Sequence, residues 1–80
     1  MDRLEVFHAI TDPDSAVARR RAAELGLVEA GRIALRNVHF ESHAAALAAL
    51  GGGRVPALWD GSRLHEGLAA TVAALEAAAR

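Results

Sequence analysis

Two acids and two hydroxyls crowd into the stretch TDPDSA, residues 11–16, which stands between a short apolar run and an arginine-rich segment. Side chains of these types between a strand and a helix mark a candidate active site. Each also has a structural reason to be there. Asp12 is a strong N-cap acceptor, Pro13 suits the first helical position, and Asp14 favours the positive end of a helix. Helix initiation accounts for all three, and the functional alternative is that Asp12 or Ser15 points at a ligand.

Other chemistry is sparse. The chain has no cysteine, which excludes disulfides, zinc–thiolate sites and thiol–disulfide exchange. His8, His39, His43 and His65 fall on different elements, and none pairs with another at the spacing of a helical ligand motif, so no metal site is expected. Arg19, Arg20 and Arg21 form a local basic spot that reads as a solvated helix face. A net charge of −1 gives no overall field for nucleic acid or an anionic membrane, and aromatic platforms are lacking, so nucleic-acid binding is not expected. Trp59 lies beside a turn, where it either packs back over a sheet or anchors a partner.

These side chains need a scaffold, and 80 residues provide one domain, residues 1–80, because so short a chain buries only about 60% of its unfolded surface. A hydrophobic share of 52% against 24% charged residues suits a globular chain. The first ten residues, MDRLEVFHAI, carry an acid and too short an apolar run for a signal peptide or membrane span, so a cytoplasmic location without membrane contact is the default.

Residues 4–10, LEVFHAI, are short and rich in strand formers, as in a strand buried on both faces. From Pro13, the spacing of Ala18, Ala22, Leu25 and Val28 predicts a helix with Arg19, Arg20, Glu24 and Glu29 mostly in solvent and Gly31 as its stop. Residues 33–40, IALRNVHF, predict a second strand. Ser42 then offers an N-cap for a short helix with Leu47 and Leu50 inward, ended by Gly51, Gly52 and Gly53. Two short apolar runs joined by Asp60 and Gly61 predict a tight hairpin. Leu68, Val72, Leu75 and Ala79 define a final helix. Right-handed crossovers make the first two strands parallel neighbours, and the hairpin extends the sheet antiparallel.

That order, β-α-β-α-β-β-α, together with VPALWDG, resembles the thioredoxin fold in its small glutaredoxin-like form. In that family a Val-Pro with a cis peptide bond precedes the third strand, a D-G or N-G turn follows, and a Gly-containing turn opens the last helix. Val55-Pro56, Asp60 with Gly61, and Gly67 stand in those places. The resemblance implies an α/β domain with a mixed four-stranded sheet flanked by three helices. Redox members carry a Cys-Pro-X-Cys segment at the start of the first helix, facing the cis proline. Here Asp12, Pro13, Asp14 and Ser15 occupy that segment, so the family's oxidoreductase activity does not carry over.

What the resemblance leaves is binding. It implies a redox-inactive binding or assembly module whose surface is the old active-site face, formed by Asp12, Pro13, Asp14, Ser15, Val55 and Pro56, with Trp59 as a possible contact. The partner would be another protein or a second copy of the chain, and no cofactor is required. The alternative is a protein that binds glutathione or a related thiol, similar to the first domain of glutathione transferases. Ser15 would then donate to the thiolate, and the Val55-Pro56 backbone would pair with the tripeptide.

Overall fold

Strand β1 (Leu4–His8) is buried on both faces, with Val6 and Phe7 fully enclosed on opposite sides of the sheet. This is why its sequence shows no polar alternation where it is most apolar. The computed structural model describes residues 3–80. After β1 come α1 (Pro13–Glu24), β2 (Ile33–Asn37), α2 (Glu41–Ala49), β3 (Ala57–Trp59), β4 (Leu64–Glu66) and α3 (Leu68–Ala78).

The four strands form one mixed sheet in the order β2-β1-β3-β4. β1 runs parallel to β2, with Leu4 opposite Ile33 and His8 opposite Asn37, and antiparallel to β3, with Phe7 opposite Ala57 and Glu5 opposite Trp59. β3 and β4 close an antiparallel hairpin. The result is the expected α/β arrangement of three helices on a mixed four-stranded sheet. Among the described residues no helix is long and apolar enough to cross a membrane.

Two apolar layers hold it together. On one face Val6, Ile33 and Leu58 pack with Ala22 of α1, Leu75 of α3 and Leu27. On the other, Phe7 and Ala57 pack with Leu47 of α2, and Leu50, Val55, Trp59 and Leu64 extend the layer. Consecutive helices thus cover opposite faces, α1 and α3 on one and α2 on the other.

Several local expectations are corrected. Helix α1 ends at Glu24, not near Gly31, because Gly26 takes a positive φ of 75°. Its N–H donates to the Ala23 carbonyl and that of Leu27 to Ala22, a Schellman stop that satisfies the last carbonyls. The chain leaves the helical register there, so Leu27 enters the core and Val28 is exposed. β1 and β2 stop at His8 and Asn37, short of Ile10 and Phe40. Ser42 does not cap α2. Phe40 is the N-cap residue and makes no side-chain cap, and Ser42 sits exposed inside the first turn. In the hairpin Asp60 donates its N–H to the Arg63 carbonyl, so the central pair is Gly61 and Ser62, with positive φ at Gly61 alone. In α3 the inner positions are Thr71 and Leu75, while Ala79 is an exposed cap.

Candidate functional site

The Asp12 carboxylate caps α1. Its Oδ2 accepts from the Ser15 backbone N–H at 2.8 Å and from the Ser15 hydroxyl at 2.8 Å. The same hydroxyl oxygen accepts from the Ala9 N–H at 3.1 Å. Ser15 is fully buried, so its one proton and its accessible lone pair are both committed within the protein. Pro13 and Asp14 are exposed on the first turn. The segment 12–15 is therefore a closed cap. It presents no hydroxyl to a ligand.

Across from this turn, the Val55-Pro56 peptide bond is cis. Continued by two residues, the β1–β3 register brings Val55 opposite Ala9. Pro56 is buried and its carbonyl accepts from the Gly67 N–H at 2.9 Å, whereas the N–H and C=O of Val55 make no hydrogen bond among the described residues. The segment before it is held from β4. Glu66 Oε2 accepts from the N–H groups of Gly53 (3.0 Å) and Arg54 (3.1 Å), and these donors, Gly53 foremost, hold its carboxyl below the usual range. The Arg54 guanidinium rests over Gly67, where a Cβ would come 2.9 Å from Nη2. A side chain at position 67 would displace it, besides being strained at the observed φ of 92°.

Trp59 packs back over the sheet. It is half-buried and packs into the layer around Phe7 and Leu47. Beside it, Asp60 is held well below the usual carboxylate range, first by the hydrogen bond from His65 Nε2 at 2.8 Å and then by the Arg63 and Ser62 N–H groups. The hairpin tip is thus a closed polar turn.

The histidines separate as well. His8 is buried, and Arg19 Nη1 approaches its Nδ1 at 3.0 Å while donating to the Ala9 carbonyl at 3.2 Å. An arginine only donates, so Nδ1 accepts and the neutral ring carries its proton on Nε2. Burial above all, then the charges of Arg19 and His43, lowers the His8 pKa. Arg19 accordingly leaves the solvated face expected for it. His43 donates from Nδ1 to the Asn37 carbonyl at 3.1 Å, and both His39 and His43 meet the Phe40 ring edge-on. Among the described residues no three His, Asp or Glu side chains converge as metal ligands.

One site escaped sequence reasoning. A groove of about 410 Å³ opens where β1 and β2 end, lined by Ala9, Ile10 and Thr11 on one side and Asn37, Val38 and His39 on the other. Ile10 is 61% exposed and Phe40, next to His39, is 60% exposed. The only sequence signal was that two apolar residues, Ile10 and Val38, follow the ends of neighbouring strands. No family model, curated protein or solved structure matches the chain.

Proposed function

We propose that the chain is a glutaredoxin-like, thioredoxin-fold domain without thiol–disulfide chemistry that serves as a binding or assembly module. The observation that carries this reading is Val55. It lies half-buried beside a cis peptide bond, outside the strands, with its backbone donor and acceptor both unpaired among the described residues. An extended segment of a protein partner, or of a second copy, pairs with such a backbone as an added strand does. The closed cap of Asp12 and Ser15 supports the same reading, because it leaves no nucleophile at the place where redox relatives keep theirs.

The alternative, a glutathione- or thiol-binding protein, keeps the support of the Val55 backbone. Its other element, Ser15 as donor to a thiolate, conflicts with a buried hydroxyl already bonded to Asp12. The readings separate by sedimentation from dilute to concentrated protein, with the Val55 amide followed by NMR, and by selecting binders from a random-peptide library. A mass that rises with concentration while the Val55 amide moves supports assembly, and selected peptides that move it support partner binding. Movement of Val55 and Ser15 on adding millimolar glutathione supports the alternative. Constant mass with no peptide that moves Val55 overturns the proposal.

A further inference from the structure

The groove at the ends of β1 and β2 has a backbone cause. The parallel ladder runs up to a bond from the Val38 N–H to the His8 carbonyl at 2.9 Å. The observed register ends with His8 opposite Asn37, and in a parallel pair continued past it the next rung would run from the Ile10 N–H to the Val38 carbonyl. That rung is not made, and both groups are unpaired among the described residues. After β1 the chain turns to α1 on one face of the sheet, and after β2 it turns to α2 on the other. The two strands splay at the point where their connections diverge. Adjacent parallel strands whose connections leave to opposite faces form a topological switch point, and ligands of open α/β sheets bind in the crevice outside the carboxyl ends there.

The lining then selects the ligand. It contains no carboxylate, arginine or lysine; Ala9, Ile10 and Val38 are its apolar members and Thr11, Asn37 and His39 its polar ones. A volume of about 410 Å³ lies within the range of roughly 300–1,000 Å³ usual for small-molecule sites. The open rung offers one N–H, of Ile10, and one C=O, of Val38, at the ends of neighbouring strands. We infer that this crevice binds a neutral ligand bearing a carboxamide on an apolar body, the amide completing the rung between Ile10 and Val38. The amide carbonyl accepts from the Ile10 N–H, its N–H donates to the Val38 carbonyl, and the apolar body lies against the Ile10 and Val38 side chains. The amide of a small molecule and that of a peptide side chain or backbone share this chemistry. The inference does not depend on what pairs with Val55.

The test is an NMR titration of the whole chain with benzamide, benzoate and an acetylated phenylalanine methylamide as probes. Benzamide is expected to move the amides of residues 9–11 and 37–39 saturably, with the Ile10 N–H moving downfield as it gains an acceptor, while benzoate moves them at least tenfold less at equal concentration. Binding of the capped phenylalanine at the same amides identifies a peptide source, and binding of benzamide alone a small-molecule source. His39→Trp, which fills the groove from an exposed position, should abolish the shifts while the unfolding midpoint stays unchanged. Thr11→Trp repeats the block from the other wall should the first variant be unstable. Benzoate binding as well as benzamide, shifts that cluster elsewhere, or undiminished shifts in folded blocked variants would overturn the inference.

Discussion

The Ser15 hydroxyl and the Asp12 carboxylate sit 2.8 Å apart, and both belong to the helix they begin. Asp12 receives two hydrogen bonds from Ser15, and Ser15 receives one from Ala9, so the end of β1, the turn and the first helical turn are closed by one small network.

Removing the acceptor therefore does more than remove a cap. Asp12→Ala should destabilise the fold by about 2 kcal/mol, with about 1 from the lost cap and the rest from a buried hydroxyl left without an acceptor. Asp12→Asn, which keeps an acceptor, should lose less than about 1 kcal/mol. Urea midpoints of the two variants check this, and equal losses would show that the carboxylate charge matters more than the cap.

Stability should fall as the solution is acidified from neutral pH. The folded state holds His8 below its ordinary value of 6.5 through burial, Arg19 and His43, so the unfolded chain binds the proton more readily. The stabilisation is complete above the unfolded value and is lost as pH falls through and below it, toward the lower folded value. Denaturation curves between neutral and mildly acidic pH should show this slope, and His8→Gln should flatten it. A slope unchanged in the variant would assign it to other groups.

Gly52 and Gly53 look interchangeable in the sequence but should not be in the protein. A Cβ on Gly52 would come 2.5 Å from Leu47 Cδ1 and 2.7 Å from Leu64 Cδ2, whereas one on Gly53 would meet nothing within 4 Å. Gly52→Ala should lose about 1–3 kcal/mol through overpacking, and Gly53→Ala should stay within about 0.5 kcal/mol of the parent. Thermal melts of the pair suffice to compare them.

Phe7 is the largest fully buried side chain, and the Arg36 guanidinium lies 5.2 Å from its ring centre while pairing with Glu5. Phe7→Ala should lose about 3–5 kcal/mol. For a chain whose whole stability is on the order of 5–10 kcal/mol that is a large fraction. Loss of a cooperative melt is the expected result, and a full transition within a few degrees of the parent would contradict the assignment of Phe7 to the second apolar layer.

The parallel pairing of β1 with β2 was legible because LEVFH and IALRN are short, apolar and separated by one helix, and right-handed crossovers make such strands neighbours, whereas the edge that takes the hairpin, β1, was not. The start of α1 was legible for a similar reason, since Asp12 and Pro13 signal the same boundary. Its end was not. Gly26 and Gly31 both offer a positive φ, and only the bond from Leu27 to Ala22 shows which one stops the helix. The contact of Arg19 with His8 joins a side chain that periodicity assigns to solvent to one on a buried strand, so no local rule predicts it. The groove was hidden because it is made by the absence of a rung between Ile10 and Val38, which no residue type encodes.

The position of β1 at the sheet centre also sets the order in which the molecule can assemble. Its parallel partner β2 follows after one helix, but its other partner, β3, joins Phe7 to Ala57 across most of the chain. Contacts so distant in sequence demand a large loop closure before they give any return, and they slow folding accordingly. The β3-β4 hairpin pairs across a short turn and is the most local pairing of the sheet, whereas the β1–β3 pairing closes the largest loop. The central strand thus stays half-paired until residues 57–59 have joined it.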